Sequence, residues 1–130
     1  MFDFEKLDVY QAVKEQNIKV FRLLQTDNSI DEYVREQWKK VSLESVLNLV
    51  EGTGRLNNND KKQFLILSRS SIFEAASILE MLHGMMIIDD DTHHEMYEGY
   101  EKCSKMLLGM YRSYNEQDQR RRETKTDVQL

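Results

Sequence analysis

The sequence contains no proline, only five glycines and a single cysteine among its 130 residues. Proline and glycine dominate tight turns, so their scarcity argues against a turn-rich β-sandwich, a collagen-like chain and a proline-rich linker. The lone thiol, Cys103, cannot form an internal disulfide, which favours a reducing compartment. No apolar run approaches the roughly 20 residues of a membrane-spanning helix, and the first residues lack the apolar core of a signal peptide. We therefore expect a cytoplasmic protein with no membrane partner.

The composition is that of a single globular domain. Hydrophobic residues make up 40% of the chain and charged residues 32%, which is too apolar for wholesale disorder. A chain of this length can bury enough surface to form a core without disulfides or metals. Its 18 Lys+Arg stand against 23 Asp+Glu, for a formal net charge of −5.

Apolar residues recur every three or four positions in four long segments, which predicts four α-helices. The predicted helices run over residues 4–25, from 29 to 52 or 54, 60–84 and 92–114. The predicted N-terminal caps are, in chain order, Asp3, Ser29, Asp60 and Thr92. Glu32 and Glu95 would complete capping boxes with Ser29 and Thr92. Glycines in Glu51–Arg55 are better explained as a left-handed helix end than as a phosphate-binding loop, since no strand precedes them.

Short connections between long helices favour antiparallel neighbours, so the expected fold is an all-α, up-down-up-down four-helix bundle. We assign residues 1–114 to this bundle and residues 115–130 to a polar, disordered tail, because the last segment has only two aliphatic residues. The apolar stripes place in the core, among others, Trp38, Val41, Leu49, Leu67, Leu79, Tyr97, Tyr100, Cys103 and Leu107.

Signals for catalysis or metal binding are weak. Glu80 and His83 form one E-x-x-H pair, whereas a di-iron bundle needs two such pairs and two more carboxylates. The pairs with the same spacing, Asp90/His93 and Asp91/His94, lie at a helix start. Cys103 falls on an apolar stripe, where a packed, inert thiol is expected. A metal-dependent enzyme resting on Glu80 and His83 stays as a remote alternative; we expect no enzyme activity, cofactor, metal or small-molecule substrate.

Basic residues are concentrated between positions 35 and 69, whereas residues 89–101 carry six acidic residues and no lysine or arginine. Exposed charged faces usually serve solubility, but a basic rim can also contact phosphates. The candidate nucleic-acid-binding residues are Lys39, Lys40, Arg55, Lys61 and Lys62. Arg120, Arg121 and Arg122 in the tail are further candidates.

Polar residues also occur where a bundle should be apolar. Asn48 and Glu51 are three residues apart on the second helix, so they share a helical face. Ser71 and Glu74 have the same spacing on the third helix. A buried carboxylate must be paired, which suggests a hydrogen-bonded network with arginine; a solvated helix edge is the alternative.

Two motifs connect these residues to a known family. N-x-x-E-G-x-G-R occurs here as Asn48, Glu51, Gly52, Gly54 and Arg55, and R-[GS]-S-x-x-E follows as Arg69, Ser70, Ser71 and Glu74. With the opening FEKLDVYQ, they resemble the small four helix bundle protein family, first noted as open reading frames in 23S ribosomal RNA intervening sequences. The family includes the accessory variability protein of diversity-generating retroelements, and the resemblance spans residues 4–114.

The resemblance implies a homopentameric barrel, and an accessory role that the retroelement protein performs by binding nucleic acid and its reverse transcriptase through a basic surface. The acidic net charge of this chain departs from that pattern, because five copies would repel a phosphate backbone at long range. Two functions therefore stay open. One is a non-enzymatic accessory that binds RNA, DNA or a nucleoprotein, and the other is an oligomeric protein–protein scaffold.

Overall fold

The computed structural model describes the backbone of residues 1–129 and the side chains of residues 1–124. A short 3₁₀ helix, Asp3–Lys6, precedes four α-helices. These are α1 (Asp8–Thr26), α2 (Glu32–Thr53), α3 (Asn58–Gly84) and α4 (Asp90–Gln129). The described residues contain no strand. The helices form a closed square, in which α2 packs on α3, α3 on α4, and α1 on both α2 and α4. The predicted all-α antiparallel bundle is confirmed.

The N-terminal caps differ from the predicted ones. The side chain of Asp31 accepts from the backbone N–H groups of Tyr33 and Val34, so Asp31 caps α2. Ser29 instead donates its hydroxyl to Asp27 within the preceding turn, at 2.5 Å. The predicted Ser29–Glu32 capping box was wrong because a carboxylate two residues later reaches the same free amides.

The other helices are also capped by residues that differ from the predicted ones. Asn57 caps α3 by accepting from the N–H of Asp60 at 2.9 Å, so Asp60 is not the cap. Asp89 accepts from the N–H of Thr92 at 2.8 Å, so α4 begins before Thr92. At the N-terminus, Leu7 has an extended backbone that separates the 3₁₀ helix from α1, and Asp3 lies inside the 3₁₀ helix. Each correction moves a helix boundary by a few residues only.

Glycine has a different role from the predicted one at the end of α2. The helix ends at Thr53, as expected, but Gly54 has φ −84° and is right-handed. Gly52 is buried against α3, where an added Cβ would lie 2.9 Å from the Cβ of Phe64. The motif glycine at position 52 therefore permits two helices to approach closely.

Helix α4 continues past the predicted end at Tyr114 to Gln129. Residues 115–129 are thus helical in the structure, whereas the sequence predicts a disordered tail. Side-chain contacts join the extension to the start of α3: Lys62 reaches both Asn115 and Asp118, and Asn58 reaches both Gln117 and Asp118. We call residues 115–129 the α4 extension. The domain limit at residue 114 stays a prediction.

The core lies along the bundle axis and contains residues from all four helices. Its fully buried members include Val13, Val20, Trp38, Leu49, Ile72, Leu79, Leu82, Cys103 and Leu107. Two predicted core residues were misplaced: Leu67 and Tyr97 are 50% and 41% exposed. On α3 the buried positions are Leu65 and Ile72, because the stripe that faces α2 and α4 lies two residues away from Leu67.

Polar groups of α2 hydrogen-bond across this core at two places. Trp38 donates its Nε1–H to the hydroxyl of Tyr100 at 2.9 Å. Nearby, Asn17 donates to Ser45 Oγ at 2.9 Å, and Ser68 donates to the Ser45 carbonyl at 2.6 Å. These bonds run between α2 and each of the other three helices, so they set the register of the bundle.

Candidate nucleic-acid interface

Three of the five candidate cations lie together where α2 ends and α3 begins. Arg55 pairs with Glu51 at 2.6 Å and lies over the ring of Phe64, 4.8 Å from its centroid. Lys61 lies over the Tyr114 ring, with its Nζ 5.3 Å from the centroid. Four residues, from Gly54 to Asn57, connect the two helices and place these charges on one end of the bundle.

Lys62 attaches the α4 extension to the same end. Its Nζ lies 2.9 Å from Asp118 Oδ2, and the two side chains are only 13% and 17% exposed. Hydrogen bonds from Lys62 and Asn58 hold the pKa of the Asp118 carboxyl below its usual range. An open cavity lies beside this pair, and its lining is Asn57, Asn58, Asn59, Asp60, Asp118, Arg121 and Arg122. The extension thereby brings Arg121 and Arg122 close to the start of α3. Arg120, the remaining arginine of the predicted set, is exposed on the same helix.

We define the basic end as Arg55, Lys61, Lys62, Arg121 and Arg122. All five residues were candidates from the sequence, but the last two were assigned to a separate, disordered tail. The signal that could have joined them is the amphipathic spacing of Tyr111, Tyr114 and Asp118, which continues the helical face beyond residue 114.

Lys39 and Lys40 lie elsewhere. Both are in the first half of α2, roughly 20 Å along the helix from Arg55. Lys39 lies 3.5 Å from Glu36 on its own helix, and Lys40 is exposed. The five predicted contacts therefore do not form one surface on a single chain.

The α2 half of the predicted polar network is confined to a local pair. Glu51 and Arg55 bond to each other one helical turn apart, and both side chains are about half exposed. Asn48 is half-buried on the same helix. Gly52 and Gly54 contribute backbone, the first by close packing and the second at the helix end.

The α3 half is separate from it. Arg69 donates its Nε–H to the Ser104 carbonyl at 3.2 Å and lies over Phe73. Ser71 is buried, but Glu74 is exposed, and no described residue pairs with its carboxylate. Within one chain these residues do not form the expected network with Glu51 and Arg55, because Glu74 points to solvent.

The remote metal alternative rests on residues that the fold does bring together, at the opposite end of the bundle. His83 Nε2 lies 2.7 Å from Asp90 Oδ1, and His93 Nε2 lies 2.5 Å from Glu80 Oε1. The two imidazole rings stack with centroids 3.8 Å apart and planes within 13°. Parallel stacked rings cannot both direct in-plane lone pairs at one ion, and no cluster of three or more metal-ligand side chains occurs among the described residues.

The cysteine is placed as predicted. Cys103 is 1% exposed, and burial raises the pKa of its thiol to about 11. A protonated, buried thiol is a poor nucleophile. Ser68, one of the hydroxyls nearest the core, is engaged with the Ser45 carbonyl.

Apolar grooves that the sequence did not reveal lie on the bundle surface, and two of them run along opposite sides. A further groove lies between the start of α2 and the end of α3, beside Tyr33, Ile78 and Met81. The α1–α2 groove is lined mainly by Tyr10, Ile18, Phe21, Leu43 and Val46. The α3–α4 groove is lined mainly by Leu65, Ile66, Phe73, Leu107, Leu108 and Tyr111. A second apolar stripe on α2, outside the one that packs in the core, is the sequence signal that marks the α1–α2 groove.

Comparison with known proteins identifies the family. The family model for the 23S rRNA-intervening sequence protein matches residues 5–109. A crystal structure of a protein with unknown function from the S23 ribosomal protein family of Bacteroides thetaiotaomicron is similar, with a TM-score of 0.75 and 14% identity over 79% of this chain and 97% of that chain. A search of curated proteins finds no match. No helix in the described part of the chain is long and apolar enough to cross a membrane. Because the family model covers most of the chain, and the fold agrees, this protein belongs to the 23S rRNA-intervening sequence protein family.

Proposed function

We propose that this protein is a non-enzymatic, homo-oligomeric accessory that binds nucleic acid or a nucleoprotein through its basic end. The observation that carries the proposal is the Lys62–Asp118 pair, because it docks an arginine-rich helix against a lysine-containing helix start. Cations from three segments of the chain thereby share one surface. Such surfaces bind phosphates by releasing counterions.

The net charge of −5 does not oppose local binding. The acidic residues Asp89, Asp90 and Asp91 lie at the start of α4, beside the end of α3. Helix α3 has 27 residues, so its two ends are roughly 40 Å apart. Screening acts over about 8 Å at physiological salt, so a phosphate at the basic end responds mainly to the charges nearby, which are the cations together with Asp60 and Asp118.

The α1–α2 and α3–α4 grooves support self-association. They lie on opposite sides of one chain and differ in lining, so a contact between them is head-to-tail, which closes into a ring when the rotation permits. A homopentamer is the ring that the family resemblance implies. Light scattering after gel filtration should then give about five times the chain mass of 15.5 kDa.

A charge in one groove tests this assembly. Phe73→Glu places a carboxylate in the α3–α4 groove and should lower the oligomer mass towards that of one chain, whereas Leu56→Glu, at a fully exposed residue outside the grooves, should not. A monomeric wild type, or equal masses for both variants, would overturn the groove-to-groove assembly.

Binding to nucleic acid is tested by fluorescence anisotropy with a labelled RNA hairpin and a DNA duplex over a salt series. We expect affinity that falls steeply with salt. Lys61→Glu with Arg121→Glu should weaken binding. It should also reduce the slope of log affinity against log salt concentration by the equivalent of about two phosphate contacts. Lys39→Glu with Lys40→Glu changes the net charge equally and should leave most of the binding intact.

Each alternative result is informative. No binding at about 20 mM salt would overturn the proposal, because electrostatic contacts are strongest there. It would favour the second candidate, an oligomeric protein–protein scaffold, which the acidic net charge and the two grooves support. Equal losses in the two charge-reversal variants would overturn the assignment to the basic end.

A further inference from the structure

A cleft at the basic end contains an exposed aromatic ring. The 3₁₀ helix brings Phe2 onto Phe4, with ring centroids 5.6 Å apart and planes within 8°. Phe4 in turn packs edge-on against Tyr10 at 4.9 Å. The Phe2 amide donates to Glu5 Oε2 at 2.8 Å, which holds the segment in place. Phe2 is nevertheless 71% exposed, so one face of its ring is free.

The cleft lies between this N-terminal segment and the C-terminal parts of α2 and α4. Its volume is about 380 Å³. The lining residues are Phe2, Asp3, Phe4, Leu7, Thr53, Gly54, Met110 and Tyr114. Most of the lining is apolar, and the aromatic side chains come from both sides of the cleft.

Cations border the cleft. Lys61 lies over Tyr114, a lining residue, and no carboxylate among residues 1–124 pairs with it. Arg55 follows Gly54, another lining residue, directly in sequence, but its guanidinium pairs with Glu51 and lies over Phe64. The acidic residue of the lining, Asp3, lies 3.8 Å from Lys6 and is fully exposed. A flat apolar surface therefore adjoins an unpaired ammonium group.

We infer that this cleft binds an unpaired nucleobase of single-stranded nucleic acid, stacked on the free face of Phe2, with the adjoining phosphate on Lys61. The inference rests on the proposed function and names the form of nucleic acid that the basic end takes. A base has a π-face and a phosphate one sugar away, which matches an aromatic platform beside a cation. The bases of a duplex are stacked on one another and cannot enter the cleft.

The position of Lys61 favours a nucleobase over an apolar peptide as the occupant of the cleft. A peptide side chain would fill the cleft without using Lys61, whereas a nucleotide uses the ring and the ammonium group together. Because Phe2 is already stacked on Phe4 in the unbound protein, binding costs little side-chain conformational entropy.

The test compares labelled single-stranded RNA and DNA of about ten nucleotides with a duplex of the same sequence, at one salt concentration. Phe2→Ala should weaken single-strand binding about tenfold and leave duplex binding unchanged, and Phe2→Trp should retain single-strand binding. The matched control is Tyr33→Ala, which removes a similarly exposed ring at the other end of the bundle. Thermal unfolding checks that all variants fold.

The outcomes separate this inference from the proposed function. If wild type binds in a salt-dependent manner but Phe2→Ala behaves like Tyr33→Ala, the base-binding cleft is wrong and the basic end stands. If duplex and single strand lose affinity equally in Phe2→Ala, the cleft is also wrong. If wild type binds neither form at low salt, both proposals fail.

Discussion

Lys62 on α3 and Asp118 on the α4 extension are joined across 56 positions of sequence by a contact of 2.9 Å, with both side chains largely buried. This contact connects the start of one helix to the far end of another. It explains why the polar residues beyond Tyr114 continue as a helix against α3, and it positions Arg121 beside the α2–α3 connection.

Asp118→Ala should loosen the α4 extension without unfolding the bundle. Removing the carboxylate leaves Lys62 partly buried without its charge partner, and Asn58 loses an acceptor. Hydrogen–deuterium exchange should become faster in residues 115–124 and stay unchanged in α2. Glu116→Ala, an exposed carboxylate on the same segment, is the control, and equal protection in the two variants would contradict the docking role.

The same pair predicts a pH dependence. Because the pKa of Asp118 is lowered in the folded protein, its contribution is fully present above the ordinary value of 3.8. It is lost as pH falls through the lowered folded value. Exchange protection of the extension should therefore decline in strong acid in wild type, and Asp118→Asn should not show that decline.

Gly52→Ala should destabilise the fold by about 1–3 kcal/mol, the range for overpacked contacts. The added methyl would lie 2.9 Å from Phe64 Cβ, an atom fixed to the α3 backbone, so the two helices must separate. Gly109→Ala is the matched control, because nothing lies within 4 Å of its added Cβ. Alanine there should stabilise α4 by up to about 1 kcal/mol. Urea denaturation followed by circular dichroism measures both changes.

Tyr100→Phe should cost about 1–3 kcal/mol, because it leaves the buried Nε1–H of Trp38 without its acceptor. Burial also raises the pKa of the Tyr100 hydroxyl, so it stays protonated at neutral pH. Trp38 is the only tryptophan, so its fluorescence reports on this site directly. Tyr97→Phe, at an exposed ring on the same helix, should leave the free energy of unfolding nearly unchanged.

Glu74→Ala tests the network that the sequence predicted. A buried, paired carboxylate would cost a few kcal/mol on removal. Glu74 is exposed and has no partner among the described residues. We therefore expect the free energy of unfolding of the monomer to change by no more than about 0.5 kcal/mol. A larger loss would restore the network interpretation.

Four helices and their antiparallel order were predictable because the apolar repeat and short connections are local signals. The stripe containing Trp38, Leu79 and Leu107 was identified for this reason. Helix starts were harder to predict, since Ser29 and Asp31 both suit the cap of α2, and only the backbone geometry selects between them.

The sequence alone determined the fold class, the inert place of Cys103 in the core and the family to which the chain belongs. Only the tertiary structure decided which charges meet. Lys61 and Lys62 were visible as cations, but their neighbours Tyr114 and Asp118 are more than 50 positions away along the chain. Periodicity reports the face on which a side chain lies, because that depends on the nearest few residues. Which ends of two helices meet depends on packing along the whole bundle, so the basic end and its cleft emerge only in three dimensions.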